Sequence, residues 1–127
     1  MAAAAQILVV EDNEKNMKLF RDVLVATGYR TLEATTGGEA VALATEHSPD
    51  LVLMDIQLPD IDGIEALSRL RADGRTASVP VLALTAQAME GDRERFLAAG
   101  FDGYLSKPVN VTDFVAIVKR YCERGSR

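Results

Sequence analysis

Five short apolar runs alternate along the chain with segments that have the spacing of amphipathic helices. Uninterrupted runs of this length are typical of strands that are covered on both faces of a sheet. Strands that alternate with helices pair in parallel, and right-handed crossovers place the helices on both faces. The sequence therefore predicts an α/β fold, a doubly wound five-stranded parallel sheet with strands near residues 7–10, 29–34, 51–54, 81–84 and 103–106.

The first helix has the clearest local signals. Asn13 is a suitable N-cap, Gly28 can end the helix, and apolar side chains follow one face between them. Similar spacing, with Asn110 as a cap and Gly100 as an end signal, predicts four further helices at residues 38–46, 64–72, 90–98 and 111–122. We therefore expect five helices around the sheet.

The length of 127 residues is that of one ordinary domain. We expect a single domain over residues 1–127, with a core at about residues 6–122 between a short leader and a short tail. The net charge of -5 lacks the basic character of a nucleic-acid binder, and no apolar run approaches the length of a membrane span. Because Cys122 is the single cysteine and a signal-peptide pattern is missing, we expect a cytoplasmic protein.

Polar and charged side chains follow four of the predicted strands. Glu11 and Asp12 come after the first strand, Asp55 after the third, Thr85 after the fourth and Lys107 after the fifth. Because ligands of such sheets bind outside the carboxyl ends of the strands, we expect these side chains to meet at one edge. Neighbouring carboxylates repel one another unless a cation holds them ionised, and oxygen ligands favour magnesium. The sequence therefore predicts a magnesium site that handles phosphate.

Asp55 is the candidate nucleophile at this edge, because an ionised aspartate can attack phosphorus to form an acyl phosphate. Lys107 and Thr85 can neutralise phosphoryl oxygens. Each residue alone has an ordinary alternative: Glu11 and Asp12 as caps of the first helix, Thr85 as a cap of a later helix, and Lys107 as a solvated surface charge. Their combination at four strand ends favours the phosphate-handling interpretation.

Several motifs in a fixed order resemble the receiver domain of two-component response regulators. They are LVVEDN at residues 8–13, LMDIQLP at 53–59, DG at 62–63, ALTA at 83–86 and YLSKP at 104–108. The match runs from about residue 6 to residue 122, so it is far more specific than any single motif. The resemblance implies a flavodoxin-like receiver fold with five strands and five helices.

The resemblance also implies a phosphoacceptor signalling switch rather than an enzyme with a separate substrate. Magnesium would be bound by Asp12, Asp55 and the backbone carbonyl of Gln57, with Glu11 acting indirectly. Asp55 would accept the phosphoryl group from a phosphohistidine on a sensor histidine kinase or a histidine phosphotransfer protein. The receiver itself would catalyse this transfer and the later hydrolysis of the acyl phosphate.

In the family, phosphorylation is read out through a surface made by the fourth helix, the fifth strand and the fifth helix. The implied switch residues here are Thr85 and Tyr104, and the surface around residues 88–95 would contact downstream regulatory proteins. The resemblance further implies a cis peptide bond between Lys107 and Pro108. Cell-cycle or cell-fate signalling is the expected setting.

Two glutamines lie close in sequence to the candidate site residues Asp55 and Thr85. Gln57 and Gln87 flank the path of hydrolytic water in the family and are expected to tune the acyl-phosphate lifetime.

A phosphatase of the haloacid-dehalogenase type would need a second aspartate where Gln57 stands, so the sequence argues against this class of enzyme. A receiver-like module that binds proteins without phosphate remains the alternative. We expect His47 at a helix end and Cys122 in packing, and neither in catalysis.

Overall fold

A computed structural model of the protein describes residues 4–86 and 91–125, in which strands and helices alternate strictly. The strands are β1 (Gln6–Val10), β2 (Arg30–Ala34), β3 (Leu51–Asp55), β4 (Val81–Thr85) and β5 (Gly103–Ser106). The helices are α1 (Glu14–Ala26), α2 (Gly37–His47), α3 (Gly63–Ala72), α4 (Asp92–Ala99) and α5 (Val111–Gly125). Every predicted element is present, with bounds that differ by a few residues.

The five strands form one parallel sheet in the order β2-β1-β3-β4-β5. The chain winds outward from β1 to β2 and then crosses to the other side of β1 for β3, β4 and β5. The winding therefore reverses between β1 and β3, which places a crevice at the carboxyl ends of these two central strands. This topology confirms the predicted doubly wound, flavodoxin-like sheet.

The core consists of two apolar layers, one on each face of the sheet. Alternate residues of each strand enter opposite layers, because successive side chains of a strand point to opposite faces. Ile7 and Val9 pack with α1 and α5, while Leu8 and Val10 pack with α2, α3 and α4. The two central strands are thus covered on both sides, which explains their uninterrupted apolar sequence. None of the helices within residues 4–86 and 91–125 is long and apolar enough to cross a membrane.

The ends of two helices decide between the alternatives left open by the sequence. Asn13 is the N-cap of α1, and its side chain accepts a hydrogen bond from the Asn16 amide at 3.0 Å. Its position confirms the predicted cap. Of the acidic pair before it, Glu11 accepts a hydrogen bond from the Asn13 amide at 3.2 Å, but neither residue is the N-cap itself. The predicted start of α4 at residue 90 lies outside the described residues; the helix is described from Asp92, after the N-cap Gly91 with a left-handed φ of 88°. Thr85 therefore does not cap α4.

Candidate functional site

The register of the sheet brings charged residues from three strand ends together. β1 pairs with β3 so that Val10 lies opposite Met54, and the residues that follow them, Glu11 and Asp55, are therefore neighbours. Lys107 follows β5 and reaches across the edge of the sheet to both carboxylates. Glu11 and Asp55 meet because the strands β1 and β3 that precede them are adjacent and parallel, whereas the Lys107 side chain spans the width of β4 to reach them.

Lys107 forms the central ion pairs of this cluster. Its Nζ lies 2.8 Å from Oδ2 of Asp55 and 2.6 Å from Oε1 of Glu11. The Lys107 side chain is 15% exposed and that of Glu11 only 1%, so both ion pairs are shielded from water. The Lys107 amide donates to the carbonyl of Thr85 at 2.7 Å, and the peptide bond to Pro108 is cis. Lys107 is therefore not the solvated surface charge of the alternative interpretation.

Burial and charge act in opposite directions on the two partners of this ion pair. Burial raises the pKa of Glu11, and the nearby Asp55 carboxylate adds to this effect, while Lys107 opposes it. Burial lowers the pKa of Lys107, but its hydrogen bonds and charge interactions with Asp55 and Glu11 outweigh burial, so the pKa of the ammonium is raised. Lys107 is thus charged at neutral pH. One ammonium faces more negative charge than it can neutralise.

The acidic residues of this edge are close enough to share a cation. One carboxylate oxygen from each of Glu11, Asp12 and Asp55 lies within 4.8 Å of the other two. Glu11 and Asp55 are buried and Asp12 is exposed, so the cluster opens to solvent on one side. A cleft of about 390 Å³ is lined by these residues together with Gln57. A donor set of carboxylate oxygens with excess negative charge fits magnesium.

The Asp55 carboxylate is held by a backbone amide at one oxygen and by the Lys107 side chain at the other. It is the last residue of β3, its Oδ1 accepts a hydrogen bond from the Gln57 amide at 2.9 Å, and its Oδ2 accepts one from Lys107. The chain then returns closely, because a side chain at Gly63 would clash with the carbonyl oxygen of Asp55. Glycine at position 63 therefore permits the tight turn that carries the loop past the carboxylate.

Thr85 and Tyr104, the predicted switch residues, lie on the adjacent strands β4 and β5. Thr85 is the last residue of β4 and is buried, with 7% of its surface exposed. Tyr104 pairs with Ala83 and is half-buried, and its ring centroid lies 6.1 Å from that of Phe96 on α4. A displacement of Tyr104 would therefore change the packing of α4.

Of the other residues considered from the sequence, Gln57 lies at the acidic cleft, whereas His47 and Cys122 lie elsewhere. Gln57 is exposed in the loop after β3, whereas Gln87 and residues 88–90 of the predicted partner surface lie outside the described residues. His47 is the last residue of α2, and Cys122 is buried in the layer formed with α1 and α5. Burial raises the pKa of the Cys122 thiol to about 11. Neither residue lines the acidic cleft.

Asp60 is a residue of this region that sequence reasoning missed. It lies in the loop between Asp55 and α3, and its two carboxylate oxygens accept hydrogen bonds from the amides of Gly37 and Gly38 at the start of α2. A Gly-Gly pair is a local sign of a turn, but more than 20 residues separate Gly37 and Gly38 from Asp60. No local pattern relates the two segments.

Residues 7–119 match the family model of the response regulator receiver domain. The chain therefore belongs to the response regulator receiver family, the signalling switches of two-component systems. Among its relatives is the polar-differentiation response regulator DivK of Brucella ovis, which is 50% identical over 115 residues covering 91% of this chain and 94% of DivK. The DivK of Brucella suis biovar 1 gives the same values. This similarity confirms a resemblance to DivK that is also visible in the sequence at the N-cap and first turns of α1. The residues concerned are Asn13, Asn16, Met17, Lys18, Leu19 and Phe20.

Solved structures of receiver domains share the same fold. The receiver domain of a sensor histidine kinase from Pseudomonas aeruginosa, solved with a magnesium ion coordinated in its active-site cleft, superimposes with a TM-score of 0.88 and 39% identity. That comparison covers 95% of this chain and 99% of the other. The chemotaxis protein CheY4 of Vibrio cholerae gives a TM-score of 0.87 and 27% identity over 94% of this chain and 99% of its own.

Proposed function

We propose that this receiver accepts a phosphoryl group on Asp55 from a phosphohistidine donor in a magnesium-dependent reaction. The observation that carries the proposal is the position of the Asp55 carboxylate, 2.8 Å from the Lys107 ammonium and grouped with Glu11 and Asp12 at the carboxyl edge of the sheet. The donor would be a sensor histidine kinase or a histidine phosphotransfer protein. Magnesium would be held by Asp12, Asp55 and the backbone carbonyl of Gln57, with Glu11 acting indirectly.

The geometry suits in-line transfer of a phosphoryl group. A carboxylate oxygen of Asp55 attacks phosphorus while the bond from phosphorus to the imidazole nitrogen breaks, and its electron pair stays on the imidazole. Bound magnesium supplies positive charge that offsets the carboxylates and the phosphoryl oxygens. The hydrogen bond from the Gln57 amide orients the attacking carboxylate, while Lys107 and the Thr85 hydroxyl stabilise phosphoryl oxygens that the metal leaves uncovered.

The same group would then act as a switch. Contact of the Thr85 hydroxyl with the phosphoryl group would favour one of two packings of Tyr104, and through its neighbour Phe96 one of two positions of α4. The surface of α4, β5 and α5 would thereby gain or lose downstream protein partners. The relation to DivK supports a role in cell-cycle or cell-fate phosphorelay. We place this switch in the cytoplasm, where the free thiol of Cys122 would stay reduced.

Intact-protein mass spectrometry after incubation with acetyl phosphate and magnesium tests the proposed reaction. We expect one added phosphoryl group in the wild-type chain and none in Asp55→Asn or in a magnesium-free sample, because each control removes a required part of the site. The absence of an adduct in the wild-type chain, with a phosphorylated histidine kinase as a second donor, would contradict the proposal. The protein would then be a binding module that works without phosphate.

We propose that Gln57 and Gln87 tune the lifetime of the acyl phosphate, because the residues at these places flank the path of hydrolytic water in the family. We expect the double variant Gln57→Ala/Gln87→Ala to change the rate at which the adduct decays after acetyl phosphate is removed. The decay is followed by the same mass measurement at fixed magnesium. An unchanged decay rate in the double variant would show that the two side chains have no part in hydrolysis.

A further inference from the structure

In the loop that follows Asp55, residues 57–62, the Asp60 side chain forms two hydrogen bonds with the first turn of α2. Asp60 Oδ1 accepts a hydrogen bond from the Gly37 amide at 2.8 Å, and Oδ2 accepts one from the Gly38 amide at 2.9 Å. Amides in the first turn of a helix have no carbonyl partner within the helix, so they are available for such contacts. Asp60 therefore joins the loop beside the acidic cluster to a helix on one face of the sheet.

The start of α2 has its own cap, which does not depend on Asp60. Thr36 is the N-cap, and its hydroxyl accepts a hydrogen bond from the Glu39 amide at 3.1 Å. The Glu39 carboxylate in turn accepts a hydrogen bond from the Thr35 amide at 2.8 Å. These two hydrogen bonds stabilise the helix end locally. The start of α2 is therefore already capped, and the two hydrogen bonds to Asp60 connect it in addition to the loop.

Packing at the same point supports the connection. A side chain at Gly37 would place its Cβ 2.5 Å from Cγ1 of Ile61, so the loop lies directly on the helix start. Ile61 is half-buried and packs against the apolar layer of α2, α3 and α4. Asp60 and Ile61 thus hold the second half of the loop against α2. Gln57, at the beginning of the loop, donates its amide hydrogen to Asp55.

Asp60 is suited to this task by its charge. The amides of Gly38 and Gly37 lower the pKa of Asp60 to about 2, so the carboxylate is ionised at neutral pH. An ionised carboxylate accepts both amide hydrogens at once, and the positive end of the helix dipole favours it. The neutral amide of asparagine has one acceptor oxygen and would turn its NH₂ group toward the second amide.

We propose that Asp60 is a positioning residue for the magnesium site: by holding residues 57–62 on the start of α2, it sets the place of the Gln57 carbonyl and thereby the affinity for magnesium. The inference rests on the proposed function, in which this carbonyl is a metal ligand. Asp60 itself touches neither the metal nor the phosphoryl group. Its effect is carried by the backbone between Gln57 and Asp60.

Isothermal titration of the full chain with magnesium chloride tests this role directly. We expect Asp60→Ala to raise the magnesium dissociation constant about tenfold, the lower end of what the loss of an outer partner costs a metal site. Asp60→Asn, which keeps one acceptor, is expected to fall between Asp60→Ala and the wild type. The matched control is Thr36→Ala, which removes the cap of α2 but leaves both bonds of Asp60. We expect its dissociation constant to equal that of the wild type.

A second measurement separates positioning from a general loss of structure. The rate of adduct formation with acetyl phosphate is measured as a function of magnesium concentration. For both Asp60 variants we expect the half-saturating magnesium concentration to rise while the rate at saturation stays at the wild-type value. Far-ultraviolet circular dichroism identifies any variant that does not fold, and Asp60→Asn then carries the test, because it retains one of the two bonds.

Two results would overturn the inference. One is an unchanged dissociation constant in Asp60→Ala and Asp60→Asn. The other is an equal rise in Thr36→Ala, which would mean that the stability of the helix start, and not the bridge, controls the site. A wild-type chain that binds no magnesium would instead contradict the proposed function. The two failures are therefore distinguishable.

Discussion

Glu11 is buried where its negative charge is unfavourable in the metal-free protein. It is 1% exposed, it faces Asp55, and it shares the single ammonium of Lys107 with that residue. A residue chosen for stability alone would not be charged at this position, because burial penalises the ionised form. The site therefore holds excess negative charge that a divalent cation can neutralise, at the expense of stability in the free chain.

The ionisation of Glu11 makes the stability of the fold depend on pH. Because the pKa of Glu11 is raised in the folded state, its contribution to stability is fully present below the ordinary value of 4.5 and is lost as the pH rises through the raised pKa. Glu11→Gln imitates the protonated form. We therefore expect Glu11→Gln to raise the melting temperature at neutral pH in metal-free buffer, with a gain that vanishes toward pH 4.5.

Thermal unfolding is followed by circular dichroism in the presence of a chelator, at pH values from 4.5 to neutral. Glu46→Gln is the matched control, because the Glu46 side chain is 72% exposed and its substitution should leave the melting temperature nearly unchanged. A lower melting temperature for Glu11→Gln at neutral pH would mean that the ion pair with Lys107 outweighs burial. The derived sign would then be wrong.

At the scale of elements, Arg71 ties together the segments that carry the proposed switch surface. Its guanidinium extends from α3 and donates to the carbonyls of Val79 at 2.6 Å and Gly100 at 3.1 Å, and to Oδ2 of Asp102 at 3.1 Å. Asp102 in turn accepts a hydrogen bond from the Val81 amide at 2.8 Å. One side chain thus connects the end of α3 with the start of β4 and with the turn between α4 and β5.

We expect Arg71→Met to lower the free energy of unfolding by about 2 kcal/mol, because partly buried carbonyls lose a charged donor. Arg69→Met is the control on the same helix. Within residues 4–86 and 91–125, Arg69 pairs only with Glu65. Both side chains are more than half exposed, at 52% and 53%, and such pairs contribute less than about 0.5 kcal/mol. Urea unfolding of both variants makes the comparison. Equal losses would contradict the role assigned to Arg71.

At the scale of the whole molecule, the sheet was predictable from the sequence because its central strands are buried on both faces. Such strands cannot carry polar residues until they reach the edge, so the first polar residue after each run marks the site. Glu11 and Asp55 were located in this way before any contact was known. The N-cap of α1 was predictable as well, since Asn13 acts on an amide three residues away.

The contacts that could not be predicted join segments without a shared local pattern. Asp60 binds the start of α2 across more than 20 residues of sequence, and Arg71 reaches Gly100 across 29. Helix propensity also does not show the left-handed backbone of Gly91, which precedes α4. Long-range side-chain contacts and backbone conformation therefore required the structure. The doubly wound parallel sheet and the acidic character of the site did not.

The central claim is that Asp55 is the residue that carries the phosphoryl group. Borohydride reduces an acyl phosphate to an alcohol, so a phosphorylated aspartate becomes homoserine, which peptide mass spectrometry locates. After incubation with acetyl phosphate and magnesium we expect homoserine at position 55 and at no other carboxylate, and none when magnesium is omitted. Reduction at Asp12 or Glu11 instead, or at no carboxylate while an adduct is present, would contradict the account.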